Sequence, residues 1–291
     1  MNPAVVQKLL PLALAFIMFY LGLTLVLADF WRVAQRPRAL VAGLIGQLLL
    51  VPLAGLAVAS LSGLAPLMAV GLMVLAACPG GVSSGLLTHL ARGDTALSIS
   101  LTAVTSLVSM LTLPLIVNAA LQFFMDSSLT AQLPLAPMVR SIFLLTTLPV
   151  LLGMLLRWKF PHPVSRAVPA ASKVATTLFV LIVLATFWDQ REVLMEHLPA
   201  LGPATLLLNV LILIGAWLLA TQARLGHADR IAIVTECGLQ NSALGIYVCL
   251  QLLASPAMSA PSVVYALLMN AGGIAFVLLM RRRRGLGTAA A

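Results

Sequence analysis

Nine long apolar runs follow one another along this chain and leave it few ways to fold: residues 6–27, 39–60, 67–91, 94–121, 138–157, 173–189, 200–222, 230–253 and 261–280. A run of about 20 apolar residues matches the hydrocarbon thickness of a bilayer. Within that layer every backbone N–H and C=O must find a partner, and a helix supplies all of them from its own segment. The composition agrees: 61% of the 291 residues are hydrophobic and 9% are charged, against about 25% charged in ordinary soluble domains. An all-α integral membrane protein of about nine transmembrane helices is therefore expected. The first run, with Lys8 near its start, is longer than the 7–15 residues or so of a signal-peptide core and is followed by no small-x-small site, so a retained helix is expected. Connections are expected where polar residues, Gly and Pro cluster: Asp29–Arg38, Ser62–Pro66, Arg92–Asp94, 122–137, Arg157–Lys173, Trp188–Pro199, Arg224–Arg230 and Ser255–Pro261.

The basic residues set an orientation. With the N-terminus outside, the inner side receives Arg32, Arg36, Arg38, Arg92, Arg157, Lys159, Arg166, Lys173, Arg224, Arg230 and Arg281 to Arg284, which leaves only Lys8, Arg140 and Arg191 outside. An even number of spans cannot bring both Arg32–Arg38 and Arg281–Arg284 inside, so an odd count with the C-terminus in the cytoplasm is expected, in the cell's inner (plasma) membrane. The net charge of +9 is thereby explained without nucleic acid, since the charges flank apolar runs and form no basic stripe with interleaved aromatics. Cys78, Cys237 and Cys249 lie inside apolar runs without metal-ligand spacing. His89, His162, His197 and His227 are scattered in or beside connections, as solvated histidines are.

One carboxylate breaks the pattern. Glu236 lies with Gln240, Asn241 and Ser242 inside the eighth run, and a charge at bilayer depth costs roughly 2.5–3.5 kcal/mol on insertion scales. Gly238 in the same group weakens the helix and frees backbone carbonyls. The third run holds a counterpart, Cys78-Pro79-Gly80-Gly81-Val82-Ser83-Ser84-Gly85. Paired interruptions, one in each half, point to the binding site of a secondary transporter. In the N-out topology the two interrupted spans run in opposite directions, so spans one to four and six to nine form inverted four-helix repeats joined by span five.

The side chains around these breaks offer oxygen. Ser98 and Thr102 share a helix face, Gln47 interrupts the run from Leu44 to Val51, and Gln240 stands one turn beyond Glu236. Hydroxyls, amide oxygens, freed carbonyls and one carboxylate suit a small hard cation. Bland roles compete: Ser and Thr back-bond carbonyls within their own helix, a lone Gln bridges helices, and Gly80, Gly81 and Gly85 permit close packing. An enzyme is not expected, because intramembrane hydrolysis needs a Ser/His pair, two aspartates or a His-Glu zinc set at membrane depth, and Glu236 is the only acid within a span interior.

Cys78-Pro79-Gly80-Gly81-x-x-Ser84, Leu90-Ala91-Arg92-Gly93-Asp94-x-Ala96-Leu97-Ser98-x-x-x-Thr102 and Glu236-x-Gly238-x-Gln240-Asn241-Ser242 closely resemble the bile acid:sodium symporter family, as do Gly22-Leu23-Thr24-Leu25 and Gln47 five residues before Pro52. The match runs nearly end to end, and nine spans with the N-terminus outside is similar to the arrangement of the animal carriers. The resemblance implies a panel domain (6–27, 138–157, 173–189) and a core domain (39–121, 200–280), with two discontinuous helices crossing at their centres. It implies one sodium site from Ser84, Ser98, Thr102 and Glu236 with the residue at Gly85, and a second from Gln47, Glu236 and Gln240 with the carbonyls of Cys237 and Leu239. Asn241, Asn270 and the apolar Val82 would border the substrate. Gly85 departs from the family's usual Asn and removes a side-chain oxygen from the first site, so one bound sodium or two stays open. Met269 and Val82 are less polar than a bile acid carrier leads one to expect.

These features together imply a sodium-coupled symporter that imports an organic anion, bile-acid-like or a smaller carboxylate, by alternating access. Proton coupling through Glu236, or a ligand-binding membrane sensor that transports nothing, stays open beside it. Nothing in the sequence calls for an obligate protein partner.

Overall fold

The computed structural model describes residues 3–81, 83–125 and 135–288, with side chains described from Leu9 to Arg281 within those stretches. Val82, expected beside the substrate, lies outside the described residues, as do the side chains of Lys8 and Arg282 to Arg284. Twelve helices account for most of the rest: α1 (Pro3–Thr24), α2 (Leu27–Ala34), α3 (Pro37–Leu61), α4 (Pro66–Ala77), α5 (Ser83–Leu90), α6 (Thr95–Phe124), α7 (Leu135–Lys159), α8 (Pro161–Asp189), α9 (Arg191–Gln222), α10 (His227–Gly238), α11 (Ser242–Leu252) and α12 (Ala260–Thr288). Single π-helical turns interrupt α3 at Gly46–Leu50 and α7 at Phe143–Thr147, another closes α11 at Val248–Leu252, and a 3-10 turn at Pro256–Ser259 leads into α12.

Five of these helices, with the stretch Pro256–Arg281, are 25 to 32 residues long and apolar enough to cross a membrane. A seventh crossing is available if α1 and α2, bent at 70° to each other, are taken as one span. The two remaining apolar runs, 67–91 and 230–253, are each split into a pair of short helices, α4 with α5 and α10 with α11.

Two expected connections are helical instead. The stretch Arg157–Lys173 is broken only at Phe160, and Trp188–Pro199 only at Gln190. In each stretch the helix breaks at a single residue, and the charges and prolines on either side are taken into α7, α8 and α9. Pro161 starts α8, at a position whose N–H has no intrahelical partner in any case. The Arg281–Arg284 run likewise continues α12 rather than forming a separate tail.

Burial separates the helices. In α4 every residue from Met68 to Ala77 is buried, and in α10 every one from Ile231 to Gly238. By contrast only 17% of the apolar stretch of α8 is buried, against 50% for α6. α1 packs chiefly on α7 and α8, whereas α9 packs on α10 and α12, and α4 on α3 and α6. The approach of α1 to α7 is close enough to need glycine on both sides: a Cβ at Gly22 would overlap the Val150 carbonyl, and one at Gly153 the Phe19 carbonyl.

Candidate functional site

The site begins where two helices stop. Cys78 precedes a proline and is extended (φ −67°, ψ 152°), as sterics before proline require. Pro79 has no N–H to continue α4, Pro79 to Gly81 are not helical, and α5 begins at Ser83. In the other half, α10 ends at Gly238, Leu239 is extended, and the Asn241 side chain caps α11 by accepting from the Leu244 N–H at 3.1 Å. The two breaks meet. Gly81 N–H donates to the Leu239 carbonyl at 2.6 Å, Asn241 N–H donates to the Pro79 carbonyl at 2.9 Å, and Gly80 pairs with Gln240 in an antiparallel bridge. Backbone groups freed by one interruption are thus satisfied by the other, which is what an interrupted helix at membrane depth requires.

Glu236, fully buried one turn before its break, lies against this crossing. Ser84 Oγ donates to its Oε2 at 2.7 Å and Ser98 Oγ donates to the same oxygen at 3.1 Å. Thr102 Oγ1 lies 2.7 Å from Oε1 and 2.9 Å from Oε2. Three hydroxyls from α5 and α6 therefore converge on one carboxylate from α10. Each hydroxyl oxygen has one proton to donate and keeps lone pairs for another partner. The ion pairs among the described residues, Arg32–Asp29, Arg36–Asp94, Arg36–Asp229 and Arg191–Glu192, all lie elsewhere. Gly80 makes the arrangement possible, because a Cβ there would sit on the carboxylate itself.

A second polar group lies on the other side of the crossing. The π turn in α3 carries Gln47, whose Nε2 donates to the Cys78 carbonyl and to Gln240 Oε1, each at 2.9 Å. Gln240 Nε2 in turn donates to the Cys237 carbonyl at 2.6 Å. Gln47, Gln240 and the Cys237 carbonyl are thereby brought together, while the Leu239 carbonyl is engaged by Gly81. Gln47 is also the interhelical bridge that its isolation in an apolar run implied. Among the described residues no hydrogen bond joins these amides to Glu236, so the expected residues form two adjoining clusters.

A cavity of about 450 Å³ opens beside the crossing. Ser84, Gly85, Thr102, Gln240, Asn241 and Asn270 border it on one side; Ile17, Leu21, Thr176 and Phe179 of α1 and α8 border it on the other. Asn241 also reaches across to α1, with its Nδ2 3.8 Å from the Met18 sulfur. The Asn270 amide donates to the Ala266 carbonyl of its own helix at 2.7 Å. Among the described residues, His89 and Tyr20 are the ionisable groups on the cavity wall, and no Lys, Arg, Asp or Glu lines it.

Two residues central to this geometry were not singled out in the sequence. Tyr265 OH donates to the Gly238 carbonyl at 3.0 Å, and Asn209 Nδ2 donates to the same carbonyl at 3.2 Å and to the tyrosine oxygen at 3.1 Å. Together they hold the last carbonyl of α10. Asn209 was visible as an amide isolated in an apolar run, the same signal that marked Gln47. Thr88 and Thr235, hydroxyl to hydroxyl, join α5 to α10 next to Glu236.

Comparison with known proteins bears on this site. The model of the Sodium Bile acid symporter family matches residues 11–197. The chain belongs to that family. The family and the relatives below are named as sodium-dependent transporters or cotransporters, not enzymes. The chain is 28% identical over 270 residues to the "Uncharacterized sodium-dependent transporter YocS" of Bacillus subtilis, covering 92% of this chain and 81% of that one. It is equally 28% identical over 276 residues to the "Probable sodium/metabolite cotransporter BASS2, chloroplastic" of Oryza sativa subsp. japonica, covering 94% of this chain but 64% of that one. The "Ileal sodium/bile acid cotransporter" of Cricetulus griseus is 30% identical over 178 residues, covering 61% of this chain and 51% of its own length. The chain thus spans about two thirds of the rice protein and about half of the hamster protein.

Proposed function

We propose that this protein is a sodium-coupled symporter importing an organic anion by alternating access. One observation carries the proposal: a fully buried carboxylate, Glu236, is held at the meeting of two broken helices by three hydroxyls and by no positive side chain. A buried charge needs compensation, and here an exchangeable cation is what the donor set suits. Ser84, Ser98, Thr102 and Glu236 supply the first site, where Gly85 contributes no side-chain oxygen. Gln47, Gln240 and the carbonyls of Cys237 and Leu239, with Glu236, supply the second once the amides turn their oxygens inward. The names of the relatives support sodium as the ion.

In this reading the chain crosses the inner (plasma) membrane nine times: six single helices, the bent pair α1/α2, and the broken pairs α4/α5 and α10/α11. α1, α7 and α8 form the panel, and α3 to α6 with α9 to α12 form the core, as inverted repeats about the crossing. With the N-terminus outside, the 450 Å³ cavity runs from the crossing to His89, Thr95 and Ser172, beside Arg92 and Lys173. Its mouth then faces the cytoplasm. Asn241 and Asn270 present neutral polar groups to the substrate in a largely apolar wall. Each charge moved inward along the potential contributes about 2.3 kcal/mol per 100 mV, so two sodium ions with a monoanion are electrogenic and one is electroneutral.

Uptake of labelled cholate and of smaller labelled monocarboxylates into proteoliposomes, with imposed sodium or proton gradients, tests the proposal. Uptake that follows the sodium gradient is expected. Uptake indifferent to sodium that follows the pH gradient assigns Glu236 to a proton instead. Binding without counterflow exchange makes the protein a sensor.

A further inference from the structure

Away from the crossing, a groove of about 480 Å³ runs between the start of α3 and the end of α9. Its floor and sides are apolar, with Val41, Ile45 and Leu219, while Arg38, Gln222 and Arg224 close one end. Val41 is 52% and Ile45 39% exposed, and the rows continue as Leu49 and Leu53 on α3 and as Ile214 and Leu218 on α9, all exposed. In a membrane protein these rows face acyl chains, so the groove opens sideways into lipid with two guanidinium groups at its polar end.

Among the described residues neither guanidinium has a partner: Arg38 and Arg224 form no ion pair and no side-chain hydrogen bond, and the nearby carboxylate Asp229 is engaged by Arg36 at 3.6 Å. Arg224 is also held at a cost. After α9 its N–H donates to the Thr221 carbonyl at 2.9 Å and the Leu225 N–H to the Ala220 carbonyl at 3.2 Å. That double bond pattern ends a helix with a left-handed residue, usually glycine, and here the residue is an arginine at φ 54°. A non-glycine residue is disfavoured in that conformation by the clash of its Cβ with the backbone.

We infer that this groove binds an anionic phospholipid of the leaflet at that end, its phosphate between Arg38 and Arg224 and one acyl chain along Val41, Ile45 and Leu219. Paired arginines match a phosphodiester, and basic pockets between membrane helices suit anionic headgroups. A zwitterionic lipid places a third cation beside the two already there. The inference requires only that the chain sits in a bilayer, not that it moves sodium, so it stands or falls separately from the transport mechanism.

The test is titration of the detergent-purified full chain with palmitoyl-oleoyl phosphatidylglycerol or the phosphatidylcholine of the same chains, read by native mass spectrometry and thermal melting. Wild type should bind the anionic lipid at about tenfold lower concentration. The double variant Arg38→Gln, Arg224→Gln should lose that preference, while Arg157→Gln with Lys159→Gln, which removes the same charge at another helix end, should keep it. Arg224→Gly should melt higher without lipid, through relief of the left-handed strain, and respond less to phosphatidylglycerol. Retention of the preference by the Arg38/Arg224 variant, its equal loss in the Arg157/Lys159 control, or equally tight binding of soluble glycerol phosphate would each overturn the inference.

Discussion

At Gly80 a side chain has nowhere to go, because the position of its Cβ is taken by the carboxylate of Glu236. Gly80→Ala must therefore displace either the broken segment or the carboxylate, and Glu236→Gln removes the charge with little change of shape. Both are expected to leave a folded helical protein that no longer gains thermal stability from NaCl over choline chloride at equal ionic strength. A Glu236→Gln protein with an undiminished sodium shift would show that no cation is held there. Gly85 is the converse case. A Cβ there lies 3.0 Å from Ile99 Cγ1, a contact that a flexible side chain relieves with a small shift. Gly85→Asn should raise the apparent sodium affinity or the Hill coefficient; no change in either would place Gly85 away from an ion. Glu236 and its hydroxyls were legible because a lone acid and a Ser98–Thr102 face stand out against apolar sequence. Their convergence was not, since Ser84, Ser98 and Glu236 come from three helices that meet only in the fold.

Among the elements, the half-helix α10 depends on a clamp that no spacing announces. Asn209 and Tyr265 lie on α9 and α12, yet both donate to the Gly238 carbonyl. Loss of either leaves the carbonyl one donor, whereas loss of both leaves a buried acceptor unsatisfied, which costs about 1–3 kcal/mol. Asn209→Leu and Tyr265→Phe should therefore be individually mild and more than additive together. The double variant should also raise the sodium concentration for half-maximal stabilisation, because Glu236 and the Cys237 carbonyl belong to the element being held. Strict additivity, with no change in the sodium requirement, would reduce the pair to ordinary packing. The two interruptions could be placed from Pro79, Gly80 and Gly238. The continuity of α8 and α9 could not, because charge and proline report the edge of the hydrocarbon more directly than the end of a helix.

On the scale of the whole molecule, the proposed orientation, with the basic flanks inside, is open to chemical labelling. Cys78, Cys237 and Cys249 are all buried, so an introduced thiol reports alone. Glu192→Cys, at a position 87% exposed in the first turn of α9, should react with a membrane-impermeant maleimide in intact cells. Ser165→Cys, near the start of α8, should react only after permeabilisation. The reverse pattern would invert the protein and turn the cavity mouth outward.

The glycine contact between α1 and α7 bears on how such a molecule is made. Gly22 and Gly153 are backbone to backbone, yet all of α2 to α6 is synthesised between them. Once made, α1 must wait without its closest partner until the ribosome has passed residue 153. A nascent chain arrested before that point carries an unclaimed surface along α1, and membrane-inserted truncations ending there should be the ones that quality-control proteases remove fastest.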